Sequence, residues 1–324
     1  MPPNSAGYLH GNLEHHLDHL APFCSLMNWP LIVTESEMFE LAKLYYPELE
    51  VRLHHPLQAP FEVTDQFNFI VTTLPRALFD DIFCIAELTL GKRLKTGWLP
   101  HGHSDKENLE PLAKEETLFV YGPNFICGTS SQTLVPIGNF RAVYFQKHRH
   151  FYSTLLDSLN IKQSFILYAP TWNDARNSSS LENAADILIQ NLSDFPFLIK
   201  PHPNETQTPR SIQRKLSSTC WLDNFPPIYP LLERTSHLIG DFSSIGYDFL
   251  HFNRPMFFLK GQNKAAPLHK MGKTVNATDL PAELHLPQHN LHAAREALYH
   301  ATFGKQVPWE TIAKQILDSI NYDS

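Results

Sequence analysis

The stretch HLIGDFSSIGYDFL, residues 237–250, decides the fold. Its apolar start is too short for a helix and ends at Gly240 and Asp241; two serines follow, and the chain then runs on as a short helix. A buried strand that ends in polar residues and passes straight into a helix is the repeating unit of a parallel α/β sheet. Two further runs end in the same way. SFILYAPTW (164–172) finishes in Thr171 and Trp172, and FPFLIKPHP (195–203) finishes in Lys200 and His202.

Outward from these runs the alternation continues. Helices are predicted near 179–192, 209–217 and 227–235, with strands at CWLD (220–223) and PMFFL (255–259). Ser179 and Glu182 have capping-box spacing at the head of the first of these helices. In the first half, strands are predicted at PLIVT (30–34), EVRLH (50–54), FNFIVTT (67–73), LKTGWLP (94–100), LFVYG (118–122) and VPIGN (135–139). The helix ESEMFELAKLYY (35–46) sets Met38, Leu41, Ala42 and Tyr45 on one face and stops at Pro47. Another helix is expected near 141–159, and PWETIAKQILDSI (308–320) reads as the last. Two Rossmann-like domains follow from this pattern, residues 1–155 and 156–324, with the last helix free to pack back on the first domain.

Length and composition agree with that division. A chain of 324 residues exceeds one compact core, and 43% hydrophobic with 18% charged residues is globular. The net charge of −7 excludes broad nucleic-acid binding, which needs many cationic phosphate contacts. Eighteen histidines allow the net charge to vary near pH 6 to 7. Cys24, Cys84, Cys127 and Cys220 are far apart and suggest neither a zinc knuckle nor a disulfide framework. MPPNSAGYLHGNLEHH (1–16) has no secretory pattern, and the uncharged 117–140 is broken by glycines and prolines. A cytoplasmic protein, soluble or peripheral to a membrane, is expected.

In open α/β sheets, ligands bind at the carboxyl ends of the strands. Thr171, Lys200, His202, Asp241, Ser243 and Ser244 therefore share one edge, while LKTGWLPHGHSDK (94–106) brings His101, His103 and Lys106 to the equivalent edge of the first domain. Two such edges facing each other form an interdomain cleft. Ser243 and Ser244 begin a helix whose free N–H groups suit a phosphate; simple capping explains them as well. Lys200 and His202 add the groups a pyrophosphate requires, and Pro201 and Pro203 stiffen the turn around the imidazole. Gly102 allows close approach to the backbone beside His101, which has the chemistry of a general base. No partnering His or Cys motif accompanies His101 and His103, so a metal is not expected.

WLPHGHSDK, IGNFR, ILYAPTW, IKPHP and LIGDFSSIGYDF occur in the order found in one family. The chain resembles the CDP-glycerol glycerophosphotransferases, the teichoic acid primases and polymerases of bacteria, over about residues 92–260. The resemblance implies a GT-B-like fold with the active site in the cleft. It implies His101 as the base with Gly102, His103 and Lys106 on the acceptor side, and His202 as the second catalytic histidine. It further implies donor and phosphate contacts from Lys200, Asp241, Ser243, Ser244 and Asp248, and aligns Arg141 and Thr171 with motif positions on the donor side. His103 departs from the small residue usual after His-Gly, and residues 1–90 match weakly.

The expected activity is transfer of glycerol phosphate, or a similar polyol phosphate, from a CDP-linked donor to an acceptor hydroxyl, with CMP released and no cofactor besides the nucleotide-linked donor. A nucleotide-sugar glycosyltransferase and a non-catalytic nucleotide-binding protein are the alternatives. The resemblance also implies a lipid-linked acceptor at the inner face of a membrane. RAVYFQKHRHF (141–151) is either a basic, aromatic contact for that surface or a solvated helix face.

Overall fold

The computed structural model describes residues 4–103, 114–122, 132–161, 164–172, 179–205, 221–241, 243–260 and 266–321. They form two compact units. The first holds the described residues of 4–103, 114–148 and 301–321, and the second holds those of 149–300.

The first unit runs β1 (Ser5–Leu9), α1 (Glu14–Met27), β2 (Leu31–Val33), α2 (Ser36–Tyr45), β3 (Val51–Leu53), α3 (Ala59–Gln66), β4 (Phe69–Thr72), α4 (Asp80–Leu90), β5 (Lys95–Trp98), β6 (Thr117–Val120), β7 (Thr133–Pro136) and α5 (Phe140–Lys147). Its seven strands pair in the order β3-β2-β1-β4-β5-β6-β7, every pair parallel. Leu31–Val33 and Phe69–Thr72 are buried throughout, as strands covered by helices on both faces must be. The order reverses at β1 and β4, which makes their carboxyl ends the crevice of this unit.

The second unit runs α6 (Arg149–Ser158), β8 (Phe165–Ala169), α7 (Leu181–Asn191), β9 (Phe197–Ile199), α8 (Tyr229–Arg234), β10 (Thr235–Gly240), α9 (Ile245–Phe249), β11 (Met256–Leu259), β12 (Lys273–Val275), α10 (Leu280–Glu283) and most of α11 (His292–Phe303). Its strand order is β12-β11-β10-β8-β9, all parallel, with the reversal at β8 and β10. Leu181, Ala185 and Leu188 of α7 pack on Tyr168, Ile199 and Ile239 of the sheet. The chain then returns to the first unit, where α12 (Trp309–Asn321) buries Trp309, Ile312, Ile316 and Ile320.

Most predicted elements are present with shifted ends. β7 lies two residues before VPIGN, and the helix near 141–159 is two helices, α5 and α6, broken at His148. CWLD contributes a single bridge, Trp221 to Ile199, and the helix predicted at 209–217 lies outside the described residues. The capping box is not formed: Ser180 occupies the N-cap of α7 with its hydroxyl turned to Asp241, while Ser179 accepts the N–H of Leu181. Among the described residues no helix is long and apolar enough to cross a membrane.

Candidate active site

In the second unit the polar strand ends meet at the reversal point. Asp241, directly after β10, is buried and accepts hydrogen bonds from both Thr171 and Ser180. Oδ1 takes the backbone N–H of Thr171 (2.8 Å), and Oδ2 takes the backbone N–H and the hydroxyl of Ser180 (3.1 and 2.8 Å). The Tyr168 hydroxyl lies 2.8 Å from that of Ser180, and burial with the nearby Asp241 charge drives its acidity well below that of a free phenol. The ring of His269 donates from Nε2 to the carbonyl of Asp241 (3.1 Å). One carboxylate thus binds the ends of two neighbouring strands and the start of α7 into a single frame.

Lys200 and His202 leave the adjacent strand β9. Lys200 is buried and its backbone N–H donates to the carbonyl of Tyr168 (2.9 Å). His202 accepts the backbone N–H of Asn204 at Nδ1 (3.1 Å), so in the neutral ring the proton sits on Nε2. The Trp172 ring, over a third exposed, lies 6.4 Å from the His202 ring between centroids. Ser243 accepts from the N–H of Ile245 (3.4 Å), whereas Ser244, at the N-cap of α9, makes no cap bond with its side chain. Asp248 is buried within α9 and accepts from the Tyr229 hydroxyl (3.2 Å), a packing partner rather than a group at the strand edge.

In the first unit the chain runs on in extended form past β5, with Leu99 N–H donating to the Thr72 carbonyl (2.9 Å), and delivers His101 to the crevice of this sheet. Gly102 follows with φ of 127°, a conformation that side chains rarely adopt. His101 stacks on His16 of α1, centroids 4.2 Å apart and planes at 25°, while His15 stands edge-on at 6.0 Å. His16 Nδ1 is 2.8 Å from the Thr73 hydroxyl. Burial lowers the basicity of His101, and the Thr73 backbone beside it opposes the shift. Behind them His19 lies 3.0 Å from the Tyr121 hydroxyl and is held well below the usual imidazole range, first by burial, then by Arg141 and the three other rings.

The structure therefore places Thr171, Lys200, His202, Asp241, Ser243 and Ser244 at one sheet edge, and His101, Gly102 and His103 at the edge of the other unit. Lys106 lies outside the described residues. Arg141 belongs to the first unit, where it forms a buried ion pair with Asp18 (3.0 Å) that also accepts from the Tyr46 hydroxyl (2.9 Å). Within 141–151, Arg141, Tyr144 and Phe145 are buried, and the outer charges Lys147 and Arg149 are paired with Glu48 and Glu233. Sequence reasoning missed His15, His16, Thr73, Ser180 and His269. For His15 and His16 the one visible signal was the dense run of histidines in LEHHLDHL (13–20). Among the described residues no three His, Cys, Asp or Glu side chains converge as a metal site.

Residues 130–265 match the model of the family described as CDP-Glycerol:Poly(glycerophosphate) glycerophosphotransferase. The segment contains every strand end just described in the second unit. The wall teichoic acid polymerase TagF has the same fold, with a TM-score of 0.64 at 16% identity over 99% of this chain and 89% of that one. A TagF variant soaked with CDPG gives 0.65 at 15% identity over 99% and 88%. The UDP co-structure of S. aureus MnaA gives 0.58 at 13% identity over 98% and 96%. The architecture is thus of the GT-B type, two Rossmann-like units. No curated protein matches the sequence.

Proposed function

We propose that the protein transfers glycerol phosphate, or a closely similar polyol phosphate, from a CDP-linked donor to an acceptor hydroxyl. The observation that carries this reading is the family match, because it spans the frame of Asp241, Thr171, Lys200 and His202 in the second unit. The likeness to a CDPG-soaked polymerase supports the same donor class.

On this reading His101 takes the proton of the acceptor hydroxyl, whose oxygen attacks the phosphorus bonded to the polyol. The bond from that phosphorus to the bridging oxygen breaks and CMP departs with the electron pair. His202, offering a proton from Nε2, together with Lys200 and the Ser244 hydroxyl, stabilises the charge gathering on the phosphate oxygens. Asp241 holds the loops rather than the ligand. The donor and acceptor balance the step by themselves. A lipid-linked acceptor at the inner face of a membrane is the setting this reading implies.

The test is CMP release from CDP-glycerol by the purified protein with a polyol acceptor. His101→Ala should abolish it, and so should His202→Asn, whose amide oxygen can keep the turn bond to Asn204. Near-normal CMP release by either folded variant removes the assigned roles. The likeness to the UDP co-structure of MnaA favours a second reading, use of a nucleotide-sugar donor. Selective thermal stabilisation by UDP-sugars over CDP-glycerol and CMP would select it.

A further inference from the structure

Thr73, immediately after β4, serves two imidazoles at once. Its hydroxyl holds His16 Nδ1 at 2.8 Å, and its backbone, beside the ring of His101, supports the basicity of that ring. The Thr73 carbonyl also accepts the indole N–H of Trp98 (3.2 Å), which fixes the carbonyl from the neighbouring strand. His16, itself buried, then covers the face of His101 at stacking distance. Nδ1 of His101 is buried and has no hydrogen-bond partner among the described residues.

We propose that His16, anchored by the Thr73 hydroxyl, is the positioning residue that fixes the plane of the His101 ring for proton abstraction. The proposal rests on the role assigned to His101 above. With one face covered by His16, which the Thr73 hydroxyl holds in turn, the ring cannot tilt toward that side. His16 does not touch the donor, since it acts only through His101. The titratable groups facing His101 are His15, His16 and His19 of α1, with Arg141 of α5 beyond His19.

The experiment compares His16→Ala, His16→Phe and Thr73→Val with wild type, each checked for a wild-type thermal midpoint. With CDP-glycerol, His16→Ala should lower kcat about tenfold to a hundredfold while KM for the donor stays within about twofold. His16→Phe, which keeps a flat ring on His101, should recover part of kcat. Thr73→Val leaves the carbonyl in place and should lower kcat less, and the double variant with His16→Ala should be no slower than His16→Ala alone. In parallel, the His101 titration followed by NMR should move up toward the ordinary imidazole value in His16→Ala, as water reaches the ring. Wild-type kcat in His16→Ala, or a loss confined to donor KM, overturns the proposal. If the wild type turns over no CDP-linked donor, the proposed reaction fails, and the titration decides alone: an unmoved His101 midpoint in His16→Ala overturns the positioning role.

Discussion

Asp241 and Ser180, 61 residues apart, are joined twice, through the backbone N–H and through the hydroxyl of the serine. The same carboxylate takes the N–H of Thr171 on its other oxygen, so the segments on both sides of residues 173–178 are fastened to the end of β10. Side chains that reach a ligand from this edge are aimed by backbone that one buried charge holds in place.

Asp241→Asn tests that frame. An amide presents N–H on one side, and each oxygen of Asp241 meets one backbone N–H, so one backbone donor loses its acceptor inside the protein. The expected loss is about 2–4 kcal/mol in denaturant unfolding, with nucleotide affinity falling in parallel. Ser180→Ala removes one hydroxyl bond and should cost only about 1 kcal/mol. Equal stability of Asp241→Asn and wild type would contradict the frame.

Arg141 separates a structural role from a ligand role. Its guanidinium and Asp18 are buried together, with Tyr46 completing the carboxylate. Removing one partner of such a pair strands the other, so Arg141→Gln and Asp18→Asn should each destabilise by about 3–5 kcal/mol. Binding of CMP by the folded fraction should be unchanged. Loss of CMP binding at wild-type stability would show instead that Arg141 meets the donor.

Acid should weaken the fold through the same region. His19 is held neutral in the folded state, first by burial and then by the surrounding cations, and burial also lowers His101. In the unfolded chain each takes up a proton as pH falls through about 6.5, whereas the folded state resists, so the unfolded state binds more protons. Stability is therefore retained above that value and lost below it, by up to about 1.4 kcal/mol per pH unit for each histidine. His19→Gln should flatten the decline in unfolding free energy from pH 6.5 to 5. An unchanged slope would mean that His19 does not titrate in this way.

The second unit was more legible in the sequence than the first for reasons that lie in particular residues. β8, β9 and β11 are continuous apolar runs bounded by proline or polar residues, which is what a strand buried on both faces must be. In the first unit, α2 was legible because Met38, Ala42 and Tyr45 fall on one buried stripe. β1, by contrast, begins Ser5, Ala6, Gly7, poor strand formers by composition, although it lies between β2 and β4. α1 is buried almost all round, so it has no polar stripe to mark its period, and Pro22 sits inside it. Missing β1 and α1 meant missing the floor of the first crevice. His16 and Thr73 are 57 residues apart, and nothing local in either segment points to the other.

Gly122, just after β6, tests how the chain's return is seated on the first unit. A Cβ there would stand 2.5 Å from the carbonyl oxygen of Thr302, 2.7 Å from the nitrogen of Gly304 and 2.8 Å from the carbonyl carbon of Phe303. These are backbone atoms and cannot turn aside as a side chain would. The segment they belong to sets the Phe303 ring edge-on to Tyr121 at 5.5 Å and leads into α12, whose Trp309 donates to the carbonyl of Leu26 (2.9 Å). Gly122→Ala must push residues 302–304 outward and loosen α12, which buries Ile312 and Ile316 on this unit. We expect a loss of about 2 kcal/mol or more in unfolding free energy and faster proteolytic cleavage between α11 and α12. Removing residues 301–324 should cost at least as much, and adding Gly122→Ala to that truncation should then cost little, because the alanine has lost what it collides with. Full additivity of the two changes would show that the glycine is required for something other than this seat.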